Sequence, residues 1–147
     1  MPTYICTSKE GRLSAPQKTL IASEITRIHC EVTGAPGFFA QVIFETVKPG
    51  NHFLGGALLQ DDLIFVYGRI RSGRATQDKT RMIVQMAKAV GDAAAVSSLK
   101  SVWVYVADLP ARHMVEFGHV LPEAGDEAAW TAALPPADRE FMQLIGK

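Results

Sequence analysis

Apolar and polar positions along this chain follow a period of two, then a period near 3.6, and then a period of two again. "PTYICTS" alternates its side chains and predicts a strand that ends in the polar "KEGRLS". Leu20, Ile21, Ile25, Ile28 and Val32 then fall on one helical face. Ser14 stands three residues before Gln17, which is a capping-box pattern, and Pro16 lies in the first turn, where its missing N–H is harmless. "TGAPG" ends this helix, "FFAQVIFETV" predicts the answering strand, and "KPGN" predicts a turn. The second half repeats the plan. "DLIFVYGRI" is a strand, Thr76 is placed to cap a helix with Met82, Ile83, Met86, Ala87 and Val90 on its apolar face, and "SVWVYVADL" is the closing strand.

The halves also share wording. "GRLS" near residue 11 returns as "GRAT" near residue 73, and "QKT" returns as "DKT", at offsets of 62 and 61 residues. Echoes on the same elements in the same order indicate a duplicated β-α-β unit, about residues 2–60 and 63–119, inside a single domain spanning 1–147. A helical crossover makes the strands it joins parallel. The expected fold is therefore α/β (α+β): a four-stranded sheet with two helices on one face and a short helical tail. Its other face is bare, which predicts an oligomer. From about residue 120, Trp130, Leu134, Phe141, Met142 and Ile145 either cover a neighbouring subunit or cap the domain's own core.

Composition narrows the class. Hydrophobic residues are 48% of the chain and charged residues 20%, which is ordinary for a globular protein. Fifteen basic residues balance fifteen acidic ones, so no strong field favours nucleic acid or an anionic membrane. No stretch approaches a membrane span, and the first twenty residues lack an apolar signal core. Cys6 and Cys30 stand in no metal or redox spacing and read as reduced thiols of a cytoplasmic protein.

Several chemistries lack their motifs. "PGNHFLGG" has neither the Lys-Ser/Thr ending of a phosphate loop nor dinucleotide spacing. His29, His52, His113 and His119 show no zinc spacing, and there is no Gly-x-Ser-x-Gly elbow. A reaction without cofactor, or a binding module, is what remains. The strongest local signal is "RIRSGRAT": Arg71 and Arg74 lie between a strand end and a helix start, where guanidiniums and free N–H groups suit a carboxylate or phosphate. Pro2 becomes a free secondary amine if Met1 is clipped, and burial moves such an amine toward neutrality. His29, Tyr105 and Glu116 are further candidates. Taken singly, each of these residues is also what solvation or core packing places at such a position.

Taken in order they resemble a known family. An amino-terminal proline on a β-α-β unit is the hallmark of the tautomerase superfamily. "ITRIHCEVTG", "NHFLGG", "IFVYGRIRSGR", "VWVYVADLPARHMVEFG" and "LPEAGDEAAW" are similar to its cis-3-chloroacrylic acid dehalogenase family. The resemblance implies a tautomerase fold and a homotrimer, with no cofactor. It also implies a catalytic set of Pro2, His29, Arg71, Arg74, Tyr105 and Glu116, with Phe38, Phe39, Ile70 and Phe117 as pocket walls. Phe117 stands where the family usually has tyrosine, and Ile70 where it leads one to expect histidine.

The implied activity is a hydratase/dehalogenase adding water to three-carbon unsaturated carboxylates, cis-3-chloroacrylate or propiolate, to give malonate semialdehyde. In it the arginines and His29 hold the substrate carboxylate, Glu116 with Tyr105 activates water, and Pro2 delivers a proton. Nearby arginines lower the proline amine's pKa and Glu116 raises it, leaving both acid and base roles open. A keto–enol tautomerase of phenylpyruvate-like or dienol acids, and an idle oligomer that binds small carboxylates, are the alternatives.

Overall fold

In a computed structural model, which describes residues 2–35, 37 and 40–145, the alternation of "TYICTSK" becomes β1 (Thr3–Lys9), with Tyr4, Cys6 and Ser8 turned inward. The capping box forms as expected. The Ser14 side chain accepts from Gln17 N, and the Gln17 side chain accepts from Ser14 N, starting α1 (Ala15–Thr33). Gly34, at φ 70°, ends it in the left-handed region that favours glycine. Ile21, Ile25 and Ile28 are buried on its inner face, whereas Leu20, one residue from Ile21 and about 100° around the helix, is 49% exposed. The second strand, β2 (Gln41–Val47), begins later than the hydrophobic pattern suggests, and Phe38 and Phe39 lie outside the described residues.

A small hairpin of β3 (Phe53–Leu54) and β4 (Ala57–Leu58) turns through Gly55 and Gly56, both at positive φ, as a two-residue turn of this kind requires. The second unit is β5 (Ile64–Arg71), α2 (Thr76–Ala93) and β6 (Val102–Leu109). Thr76 is the first helical residue here and not the cap. Ala75 occupies the cap position and makes no side-chain cap bond. Met82, Met86 and Val90 are fully buried on α2.

The sheet order is β2-β1-β5-β6. β1 pairs parallel to β2 and β5 parallel to β6, while β1 and β5 run antiparallel at the centre. Each helix thus crosses over between two parallel strands. One core joins Tyr4 and Cys6 of β1, Ile64, Val66 and Ile70 of β5, and the inner faces of α1 and α2. The opposite sheet face carries Phe65, Tyr67, Trp103 and Tyr105, whose rings meet edge to face or in parallel, with Tyr105 half exposed.

The tail adds the hairpin β7 (Val115–Glu116) and β8 (His119–Val120), then α3 (Glu127–Ala133) and α4 (Pro136–Leu144). Leu134 and Met142 are buried, so the tail caps its own domain, with Trp130 against the small cluster of Ala111, Met114 and Leu121. Phe141 and Ile145 stay exposed. Among the described residues no helix is long and apolar enough to cross a membrane.

Gly68 makes room for a buried ring, because it faces Tyr4 across the β1–β5 pair. A Cβ there would stand 2.5 Å from Tyr4 Cε1 and 2.8 Å from Cδ1. Gly68→Ala should therefore displace the tyrosine ring and cost about 1–3 kcal/mol of stability. A thermal melt checks it, and an unchanged midpoint would mean that the ring has room to move.

Candidate active site

The start of β1 and the end of β5 lie at one corner of the domain, and four of the expected residues meet there. Pro2 is buried immediately before β1, and its carbonyl accepts from Gln41 N at 3.0 Å, which fixes the start of that strand. His29 comes from the last turns of α1, Arg71 is the final residue of β5, and Arg74 lies in the loop that leads to α2. Together with Ala35, Leu121, Pro122 and Glu127 they line a narrow cavity of about 30 Å³. That is room for about two waters.

Two guanidiniums in one cleft need other partners to hold them apart. Arg71 donates from Nη1 to Pro122 O at 2.7 Å and from Nη2 to the Glu127 carboxylate. Arg74 donates from Nη1 to Thr33 O at 3.0 Å, at the carbonyl end of α1, where a cation is favoured. Burial lowers the Arg74 pKa from its ordinary value, and the charge of Arg71 adds to the effect. A guanidinium nonetheless stays protonated in proteins. Burial also works against the ionised Glu127 carboxylate. Its backbone hydrogen bonds, including Gly125 N at 2.8 Å, and its pairing with Arg71 outweigh this and hold the carboxyl below its usual range.

His29 is 2% exposed, and its Nδ1 lies 2.8 Å from the hydroxyl of Tyr4, itself fully buried. Burial, reinforced by Arg74 and Arg71, pushes the His29 pKa down to about 3, so the ring is neutral. Tyr4 has a single proton to give. The imidazole nitrogen is nearer and a better acceptor than the Met82 sulfur at 3.5 Å. Nδ1 therefore accepts, which leaves the ring proton on Nε2. His29 Nε2, Arg71 Nε and Arg74 Nε are all buried without a hydrogen-bond partner among the described residues. Three unused donors in a cleft with two cations suit a small anion, a carboxylate above all.

Other expected residues lie elsewhere. Ile70 is fully buried in the main core and does not line the cleft, because the alternation of β5 turns it toward the helices with Val66 and Ile64. Tyr105 stands on the open sheet face, away from the helix side. Glu116 is half-buried on β7, and Phe117 follows it in the β7–β8 turn at φ 53°, packed edge-on against Phe141 at 6.0 Å. Neither lines the cleft, but Leu121 and Pro122, directly after β8, do. Phe39 lies outside the described residues.

Two further residues of the site do not stand out in the sequence. Tyr4 carries a signal in the alternation of "PTYICTS", which buries it, and a buried tyrosine hydroxyl needs a partner. Glu127 carries none, since a glutamate opening a tail helix is ordinary. Among the described residues no cluster of three or more His, Cys, Asp or Glu is arranged to hold a metal ion.

The depressed His29 pKa has a checkable sign. The unfolded histidine, near 6.5, takes up a proton that the folded ring refuses until about pH 3. Stability should therefore be full above pH 6.5 and fall progressively on acidification toward pH 3. Urea midpoints across this range should show a shallower fall for His29→Gln than for the wild type. Identical slopes would mean that His29 is protonated in the folded protein.

Residues 1–133 match the family described as "Putative oxalocrotonate tautomerase enzyme". The solved structure of N1, a member of the cis-3-chloroacrylic acid dehalogenase family, is 33% identical, with a TM-score of 0.91 over 96% of this chain and 98% of that one. Two fused 4-OT proteins share the fold. One, solved as an asymmetric trimer, is 21% identical (TM-score 0.72; 80% of this chain, 94% of that one). The other, solved as a symmetric trimer, is 18% identical (TM-score 0.70; 78% and 90%). With a family match over nearly its whole length and this likeness to N1, the chain belongs to the tautomerase superfamily and within it is cis-3-chloroacrylic acid dehalogenase-like.

Proposed function

We propose that this protein is a hydratase/dehalogenase, working without a cofactor, that adds water across the multiple bond of three-carbon unsaturated carboxylates, with the Pro2 amine as its proton donor. The observation that carries this reading is the convergence of Pro2, His29, Arg71 and Arg74 on one small, anion-suited cleft. The unused N–H donors of the arginines and His29 would hold the substrate carboxylate and draw electron density from the β-carbon. Glu116 takes a proton from water as its oxygen bonds to the β-carbon, and protonated Pro2 gives a proton to the α-carbon. From cis-3-chloroacrylate the adduct loses HCl to give malonate semialdehyde. From propiolate the same addition gives the enol of that product.

Tyr105 enters this scheme only across a subunit boundary, since it sits on the face that no helix covers. A homotrimer, the assembly in which the fused 4-OT proteins were solved, would cover that face and offer the tyrosine to a neighbouring subunit's cleft. A second reading, keto–enol tautomerisation, is favoured by the cleft's own lining, which holds a proline and two arginines but not Glu116. That chemistry needs only a neutral Pro2 amine and a bound carboxylate.

The two readings part at Glu116. Glu116→Gln should reduce hydration of propiolate by about 10²–10⁴-fold while sparing enol tautomerisation, and equal loss of both would remove Glu116 from water activation. Arg74→Ala should raise KM for propiolate by about 10–100-fold through loss of charge-assisted bonding. An unchanged steady-state profile would take the arginine out of the site.

A further inference from the structure

Glu127 faces two spaces at once. It lines the inner cleft, and with Arg74 it also lines a wider outer cavity of about 700 Å³ formed where α3 and α4 meet the end of α1. Glu127 is also tied down from its own side, with Oε2 accepting from Gly125 N and Oε1 from Arg71. It is therefore a fixed charge and not a swinging surface glutamate.

We propose that Glu127 is a specificity-determining residue which, by cancelling the charge of Arg71, makes the cleft select monocarboxylates over dicarboxylates. The inference rests on the reading of this cleft as a carboxylate site. Among the described residues the charged side chains of the cleft are Arg71, Arg74 and Glu127, a net charge of one positive unit. In that reading the protonated Pro2 amine, which also lines the cleft, adds a positive charge that is directed at the substrate's α-carbon and not at a carboxylate. One carboxylate then finds Arg74, the free Arg71 Nε–H and His29 Nε2–H. A second carboxylate on the same three-carbon frame would find no further guanidinium and would stand near the Glu127 oxygens in a narrow cleft. Like charges brought together where water is scarce are strongly disfavoured, which is how a site rejects a wrong ligand.

The test uses saturated acids that cannot react, so binding is read apart from turnover. Calorimetric titration of the full-length protein with propionate and with malonate, at about pH 8 where both malonate carboxyls are ionised, should give tighter propionate binding in the wild type. In Glu127→Gln the malonate-to-propionate affinity ratio should rise by about tenfold or more, whereas Glu127→Asp, which keeps the charge, should hold the wild-type order. A ratio unchanged in a Glu127→Gln protein that melts like the wild type overturns the proposal. If that variant does not fold, malonate binding more tightly than propionate to the wild type overturns it equally. If the wild type binds neither acid, the carboxylate-cleft reading itself fails. If both acids bind and only the ratio stays fixed, that reading stands and Glu127's role alone is lost.

Discussion

Placing two arginines in one buried corner of a small domain is the constraint to which the rest of the site answers. Like charges this close repel, and the repulsion is stronger where water is excluded. The fold meets it by committing part of each guanidinium to a fixed acceptor: Pro122 O and Glu127 for Arg71, and Thr33 O for Arg74. These acceptors come from the C-terminal tail and from the carbonyl end of α1. The tail is thus part of the site's electrostatics and more than a cover for the core. What remains uncommitted among the described residues, the two Nε–H groups and His29 Nε2, belongs to side chains that line the cleft. The same field from the arginines, added to burial, keeps His29 neutral, so that it can donate to an anion without adding a third charge.

The sheet does the positioning. Because β1 and β5 lie side by side and antiparallel at its centre, the start of one falls beside the end of the other, and Pro2 and Arg71 come to one corner without any long connection. Each parallel crossover then delivers a helix end to that corner: the last turns of α1 with His29, and the loop before α2 with Arg74. Tyr4 links this frame to the chemistry, since its ring packs over Gly68 and its hydroxyl holds the imidazole. The outer face of the sheet, with its aromatic row, is left for another surface to cover.

Local signals in the sequence carry most of this fold. The Ser14–Gln17 box, Gly34 and the spacing of Ile21, Ile25 and Ile28 are interactions within a few residues, so the string of letters displays them directly. The paired β-α-β plan is legible because it is written twice. What the letters conceal depends on long-range partners. The Arg71–Glu127 pair spans 56 positions and the Tyr4–His29 bond 25. Ile70 goes to the core because strand alternation, not proximity to Arg71, decides where a side chain points. Tyr105 and Glu116 fall outside the cleft's lining for a related reason: one sits on the open sheet face, the other in the tail hairpin.

The catalysis proposed for this corner requires a free amine at Pro2. The most direct measurement is the intact mass of the purified protein, followed at once by incubation of that same sample with propiolate, with products read by proton NMR. The expected result is a mass lacking methionine and the appearance of malonate semialdehyde, or of acetaldehyde after decarboxylation. Undiminished turnover by a chain that still carries Met1 would contradict the role given to Pro2, because an amide nitrogen there cannot carry the proton.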